Sequence, residues 1–564
     1  MSGRFTRAVA AVAAAAVSIF AVTACDTSDS ENEESKKLFG YQALGELRTT
    51  NSGTLEGATD LAEQLSVRLY PGVYVPGPSG QMIPNTDLVT TQVLPSDQRK
   101  VIYTLSDAAV FSDGTPVTCS DFLLTFTAGR YPSMFGSHMP LFDDTEELSC
   151  TPGSKEFTLT FKEKRGARWR GLFDAGTVLP AHAVAAKLGK SVEELDSDLQ
   201  SNDFSRLKPI GDVWRHGFSL AEFDPALQVS FGPFKIAEVG ERGEVTLVAN
   251  EHYYGDAPQT PEMVIWPGSA DSGELAEDEA LRIGDLRQTS PAWHDVDAEG
   301  NRLSVDSQIG ELTESLTFPL VGMWAFHENR QAFAKCVDPR AVAKASSDVA
   351  GIDVPVTPLH VLPHADPLSA RVKDVAASNL DVDIEGASVL SGTEIRIGYP
   401  YPDARFAAMV ESIRRTCEPA GITVTDVTEG GKTLADLPRA EYDEWGNETW
   451  TEGAADVILH ATDPMREFPS ANNRAQELGA LRAQEGHLWK QLPSIPLAAQ
   501  PRTFAVDGAV RNVVPYTGLA GIGWNMDRWQ LNTETTPAEK YQENPNQWPP
   551  HPSTATATPP PLTP

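Results

Sequence analysis

Phe111-Ser112-Asp113-Gly114-Thr115-Pro116-Val117-Thr118-Cys119-Ser120-Asp121-Phe122 is the stretch on which the reading of this chain turns. Asp113-Gly114 supplies the positive φ that a tight turn needs, and Pro116 follows where a new direction begins. Upstream, Lys100 to Leu105 (KVIYTL) reads as a strand. Downstream, Ser120 opens a helix, DFLLTFTAG, with Asp121 placed against the positive end of the helix dipole. Strand, turn and helix in this order are the unit of an α/β fold.

Working outward, residues 59–70 (TDLAEQLSVRLY) carry apolar residues at helical spacing, and Phe157 to Phe161 (FTLTF) reads as a strand. Trp169 to Phe173 leads to Val178-Leu179-Pro180-Ala181-His182, where a helix is expected after the proline. A second cluster begins at Phe231-Gly232-Pro233-Phe234-Lys235-Ile236. It continues through a strand, Glu244 to Asn250, a turn at Tyr253-Tyr254-Gly255-Asp256-Ala257-Pro258, and a strand, Met263 to Trp266. Glu394 to Gly398, a helix over 403–417 and Thr423-Val424 form a strand–helix–strand unit. Leu488-Trp489 and Pro493 to Leu497 lead into a closing β segment, 502–529. The alternation points to α/β lobes with mixed sheets. There is no internal repeat.

The two ends read differently. Arg4 and Arg7 precede an uncharged apolar run, Ala8 to Val22, too short for a spanning helix, which needs roughly 20 apolar residues. Val22-Thr23-Ala24-Cys25 resembles a bacterial lipobox, so residues 1–24 are expected to be a signal peptide and Cys25 the lipidated, palmitate-type anchor. One acyl chain holds a membrane marginally, whereas two or three hold firmly. Residues 25–36 are an acidic tether, and 533–564 a Pro/Thr-rich tail expected to be disordered. The net charge of −33 argues against nucleic acid or anionic lipid heads as partners.

Five cysteines are present. Lipidation takes Cys25 and leaves Cys119, Cys150, Cys336 and Cys417, an even number in an exported protein, which suggests disulfides. Three pairings are open. Cys119–Cys150 and Cys336–Cys417 are favoured because each falls inside one expected lobe. No CxxC or Cys/His cluster has zinc spacing, so neither a metal nor a cofactor is expected.

Three phrases in order resemble the family 5 extracytoplasmic solute-binding proteins, the oligopeptide and dipeptide receptors of ABC importers. The first is the stretch 111–122. The second is Gly232-Pro233-Phe234-Lys235 with Asn250, His252-Tyr253-Tyr254-Gly255 and Pro258. The third is Leu488-Trp489, Pro493 and Ile495-Pro496-Leu497. The resemblance implies a type II periplasmic-binding-protein-like α/β fold, with two large α/β lobes and a subdomain around a central cleft. Lobe I is expected over 37–84, 226–305 and 500–532, the subdomain over 85–225, and lobe II over 306–499. It implies a monomeric, lipid-anchored extracytoplasmic receptor for a peptide or similar small molecule, working with an ABC permease. The chain departs from the pattern where only about two dozen residues separate Asp463-Pro464 from Leu488, and where 267–310 is polar and weak in periodicity. A narrower resemblance, carried by Trp169-Arg170-Gly171-Leu172-Phe173 and Leu179-Pro180-Ala181-His182, is to the LpqW-like branch of actinobacterial lipoproteins. That branch implies regulation of lipomannan and lipoarabinomannan synthesis beside a membrane glycosyltransferase.

No catalytic constellation is legible: there is no G-x-S-x-G, H-E-x-x-H, Walker A or G-x-G-x-x-G. A binding protein rather than an enzyme is expected. Solute pockets need apolar walls and a few convergent polar groups. The candidates are Trp324 in GMWAF for stacking; Trp445 and Trp450 flanking Asn447 in a polar loop; Asp463 for a ligand amine; and Arg405 for a carboxylate. The competing readings are a core tryptophan, surface packing, a helix cap and a solvated helix-start arginine, respectively.

Overall fold

The computed structural model describes residues 39–532 apart from 78–80, 97, 299, 444 and 470–476. Cys25, the tether 25–36 and the tail 533–564 lie outside the described residues, as does the signal segment 1–24. A ten-stranded mixed sheet runs through the molecule. Its order is Thr423–Asp426, Glu394–Gly398, Val457–Thr462, Leu303–Thr317, Ser494–Asp507, Ile283–Leu286, Phe39–Gln42, Glu262–Trp266, Val245–Ala249 and Phe234–Val239. The first three strands belong to one α/β lobe and the last five to the other.

Two long antiparallel strands, Leu303–Thr317 and Ser494–Asp507, join the lobes. Their register breaks between Ile309, paired with Pro501, and Thr313, paired with Ala499. The break suits the sequence. Pro501 has no N–H to give to a ladder, and a Cβ on Gly310 would stand 2.8 Å from the Gln500 carbonyl. Two interlobe strands with a bulge at their midpoint are the structural form of a hinge.

A separate four-stranded antiparallel sheet, Val89–Leu94, Lys100–Leu105, Glu156–Phe161 and Thr145–Ser149, carries residues of the 85–225 segment. Its aromatic core (Tyr103, Phe122, Phe157, Phe173) is continuous with that of the adjoining lobe through Tyr70, Phe111 and Phe231. The other lobe has its own core around Phe333, Phe406 and Trp489.

The three motif phrases hold this frame together. Gly114 sits at φ +85 and its N–H donates to the Phe111 carbonyl, closing the turn. Helix Cys119–Arg130 begins one residue before Ser120. Asp121 accepts from the Thr118 N–H and the Ala181 N–H, both at 2.8 Å. His182 pairs with Asp113 at 3.0 Å. The Ser112 N–H donates to the Ser230 carbonyl just before the Gly-Pro-Phe phrase, and Asn250 holds the Gly232 carbonyl. Trp489 donates to the Pro358 carbonyl beside the start of the return strand.

Both disulfides form as favoured: Cys119–Cys150 with Cα atoms 5.7 Å apart and Cys336–Cys417 at 4.8 Å.

Three local expectations are corrected. Residues 59–70 do not make one helix; Leu55–Thr59 and Glu63–Ser66 are separated at Leu61, which has φ +59. The polar loop around Asn447 is a β-hairpin, Arg439–Tyr442 with Glu448–Thr451. The closing segment 502–529 is mostly irregular, because the return strand begins earlier, at Ser494, and ends at Asp507.

Candidate functional site

The lobes meet along the segment Asp463-Pro464-Met465-Arg466-Glu467-Phe468, directly after the buried strand Val457–Thr462. Asp463 caps the short helix Pro464–Glu467 by accepting from the Met465 N–H at 2.8 Å. The helix aims two charged side chains across the cleft. Arg466 meets Glu63 at 2.7 Å and Asp174 at 3.2 Å, with Asp463 at 3.5 Å. Glu467 meets His138 Nε2 at 2.9 Å. From the far side Arg168 donates to the carbonyls of Pro464 (2.7 Å), Phe468 (3.0 Å) and Val361 (2.7 Å). Six residues of one lobe are thus tied by side chains at 63, 138, 168 and 174 of the opposite body. Arg48 adds contacts to the Pro400 and Gly430 carbonyls at 3.3 Å, and Arg287 stacks over Tyr401 at 3.8 Å.

The electrostatics follow from burial. Glu63 is 5 % exposed. Burial lifts its carboxyl and that of Asp174 above the usual carboxylate range, against the opposing pull of Arg466. Burial opposes the charge on Arg466, but Asp174, Glu63 and Asp463 outweigh it and hold the guanidinium protonated. Burial also works against His138, yet the Glu467 carboxylate raises it overall. For His460 burial outweighs the pull of Glu467 and pushes it down to about 4, so the ring is neutral near pH 7. His460 Nε2 lies 3.0 Å from the Thr317 hydroxyl. Its Nδ1 and the Glu63 Oε1 atom are buried without hydrogen-bond partners.

These groups surround a cavity of about 90 Å³, floored by Leu141, Phe142 and Phe173 and walled by Glu63, His138, Asp174, His460 and Arg466. Small-molecule pockets usually measure about 300–1,000 Å³. The space left beside Arg466 is therefore small, and its accessible surface is mostly apolar; a larger open groove of about 460 Å³ lies farther along the same segment, between Asp143, Lys162, Phe468 and Leu488.

Of the six ligand candidates, only Asp463 lies on the small cavity. Trp324 is 3 % exposed and packs on Phe318 and Phe333 with centroids at 4.9 and 5.9 Å. Arg405 does face a carboxylate, but an internal one: both its terminal nitrogens bond Glu314 at 2.6 Å inside the second lobe. Trp445 and Trp450 are 73 % and 61 % exposed on the hairpin. Asn447 binds Asp443 at 2.9 Å and shapes the turn. The residues that build this cavity, Glu63, His138, Asp174, His460, Arg466 and Glu467, were not singled out by the sequence. A signal existed: VILHAT is an unbroken buried strand carrying one histidine, followed at once by Asp-Pro-Met-Arg-Glu. Among the described residues no His/Cys/Asp/Glu group has metal-binding geometry, and no helix is long and apolar enough to cross a membrane.

Solved structures with this fold include the oligopeptide-binding protein AppA from Bacillus subtilis in complex with a nonapeptide. It has TM-score 0.63 and 14 % identity, covering 87 % of this chain and 98 % of that one. The oligopeptide-binding protein from Thermus thermophilus complexed with a pentapeptide has TM-score 0.59 and 12 % identity, over 87 % and 96 %. These likenesses establish the type II periplasmic-binding-protein fold. Among sequences, lipoprotein Rv2585c of Mycobacterium tuberculosis is 28 % identical over 540 residues, 87 % of this chain and 92 % of that protein. Lipoprotein ML0489 of Mycobacterium leprae is 27 % identical over 537 residues, 87 % and 93 %. The profile of bacterial extracellular solute-binding proteins, family 5 (middle region), matches residues 84–473. The match covers more than half the chain and includes the first two motif phrases and the cleft-closing segment, so the chain belongs to the family 5 bacterial extracellular solute-binding proteins.

Proposed function

We propose that this protein is an extracytoplasmic solute-binding lipoprotein, anchored through lipid on Cys25, whose closed cleft takes a small solute for delivery to an ABC permease. The observation that carries this reading is the small pocket of about 90 Å³ at the lobe junction, lined by Glu63, His138, Asp174, His460 and Arg466. A type II binding protein grips its ligand in the closed state, so the closed volume bounds ligand size. That volume supports a solute much smaller than an oligopeptide. A strain lacking the gene is expected to lose uptake of a small solute while oligopeptide uptake is unchanged. Unchanged uptake of every small solute tried would count against a receptor.

A second reading, regulation of lipomannan and lipoarabinomannan synthesis beside a membrane glycosyltransferase, is favoured by one feature. The lobes are closed by the chain's own ion pairs, Arg466 with Glu63 and Asp174 and His138 with Glu467, with no ligand needed to bridge them. The same deletion strain discriminates. Altered mannosylated lipids with unchanged solute uptake favours regulation; an unaltered lipid profile removes it.

A further inference from the structure

We propose that the free edge of the four-stranded sheet, the strand Val89–Leu94, pairs with the same strand of a second copy of this chain, antiparallel about a two-fold axis at Gln92. This surface lies outside the lobe junction and does not depend on the solute reading above.

The sheet edges are not alike. An exposed edge strand is a template for another strand, and proteins blunt it with charge, bulges or short length. The two larger sheets end in four such strands. Thr145–Ser149 carries Glu146 and Glu147, is bulged ahead of Glu147, and gives its Glu146 carbonyl to Arg130 at 2.6 Å. Phe234–Val239 carries Lys235 and Glu238 and is bulged between Ile236 and Glu238. Thr423–Asp426 is four residues long and ends in an aspartate. Val89–Leu94 has none of these devices. It is six residues long, pairs with Lys100–Leu105 in unbroken register, and has no charged side chain.

The ladder decides which groups are free. Main-chain groups on an antiparallel strand alternate between its two sides. The Ser106 N–H donates to the Leu88 carbonyl, and the Leu105 N–H turns the other way, to the Lys155 carbonyl. In the observed register Thr90, Gln92 and Leu94 therefore face Lys100–Leu105, and Val89, Thr91 and Val93 face outward. The Val89 N–H is taken by the Asn85 carbonyl. Among the described residues, the main-chain N–H and C=O of Thr91 and Val93 have no partner on the outer side. Val93 is 41 % exposed, and Thr90 and Gln92 are exposed.

Charge and symmetry choose the occupant. Two copies of a chain with net charge −33 repel over most of their surface and approach most easily where charge is absent. Leu88 to Ser96 is such a place, a run without one charged side chain. A two-fold axis at Gln92 sets Thr91 opposite the second copy's Val93, and Val93 opposite its Thr91. Each outward N–H then meets an outward carbonyl, about four main-chain hydrogen bonds in all, and the two sheets become one. Gln92 faces the second copy's Gln92, and Thr90 faces its Leu94. Pro95, which follows, has no N–H to leave unpaired. The strand is thus complementary to itself, and pairing buries no charge.

The test is disulfide trapping of the full chain on intact cells carrying Gln92→Cys, with the unsubstituted chain as the blank. Cys119, Cys150, Cys336 and Cys417 are already paired with one another, so the new thiol stands apart from them. In the proposed pair, position 92 faces itself at a non-hydrogen-bonded place, with Cα atoms about 4.5 Å apart, within the span of a disulfide. Mild oxidation is expected to give a dimer on a non-reducing gel. Thr90→Cys is the control: it lies on the same face of the strand, but its two copies stand about 14 Å apart, and it is expected to trap at least about tenfold less. Adding Val93→Pro to Gln92→Cys removes an outward N–H and none from the chain's own ladder, and is expected to lower trapping at least about tenfold. If Val93→Pro fails to fold, the comparison of Gln92→Cys with Thr90→Cys still decides. No dimer from Gln92→Cys, or equal trapping by Thr90→Cys, overturns the proposal. A cross-link to a chain of different mass overturns it too, in favour of a strand from another protein.

Discussion

Replacing Arg466 by methionine keeps most of the side-chain volume and removes the one cation shared by Glu63 and Asp174. Glu63 is 5 % and Asp174 16 % exposed, so solvent compensates neither well. Breaking a buried pair by deleting one partner costs about 3–5 kcal/mol. A second effect is the proton. Burial already raises both carboxyls in the wild type, Asp174 to about 7, so Arg466→Met adds only the further rise that Arg466 was holding back. The variant's carboxyls then keep a proton through a pH range in which the wild type releases it. The penalty is therefore larger at pH 8 than at pH 5. Urea unfolding followed by tryptophan fluorescence at both pH values measures it, and hydrogen exchange at residues 464–468 shows whether the loss begins at the cleft. Adding Asp174→Asn to the Arg466→Met variant is expected to return part of the stability. A penalty under about 1 kcal/mol at pH 8, or one equal at pH 5 and 8, would refute the claim that a buried ion cluster closes the lobes.

Other outcomes follow from the same geometry. His138 is raised by Glu467, so this contact is fully present below the ordinary histidine pKa and lost as pH rises through the higher folded value; His138→Gln should therefore destabilise more at pH 6 than at pH 8.5. Burial lifts Asp60 to about 8 and Asp121 to about 7, so the folded chain retains protons that the unfolded chain has lost, and melting temperature should fall as pH rises from 6.5 to 8.5; a rise would contradict the assignment. Reducing the disulfides, which span 31 and 81 residues, should cost about 4 kcal/mol each by the chain-entropy estimate, measured by denaturation with and without reductant. Trp324→Ala should cost about 3–5 kcal/mol as a core truncation, whereas Trp445→Ala should fall within about 0.5 kcal/mol of wild type. Cys25→Ala should move the protein from the membrane to the soluble fraction on cell fractionation, as the proposed lipid anchor on Cys25 requires.

Much of the frame was legible in the sequence because it is local. A turn at Asp113-Gly114, a helix behind Asp121 and a strand at Glu394–Gly398 depend on residues a few positions apart, and the structure places them within one residue of expectation. Leu61 shows where local reading stops: helical spacing over 59–70 is real, but a positive φ at Leu61 splits the segment into two short helices. The cavity at the lobe junction was hidden as well. Glu63, His138, Asp174 and Arg466 lie up to 403 positions apart, and each alone looks like an ordinary surface charge. Only the hinge strands bring them together. Arg405 is the instructive middle case. The sequence offered it a ligand carboxylate or solvent; the structure buries it against Glu314 of its own lobe instead, 91 positions away in the chain.

Native mass spectrometry of the purified lipoprotein, offered a mixture of peptides from two to nine residues, tests the closed-cleft account most directly. The account predicts the bare mature chain, or that chain with an adduct of a few heavy atoms. A stoichiometric peptide adduct, retained when the peptides are diluted away, would contradict it.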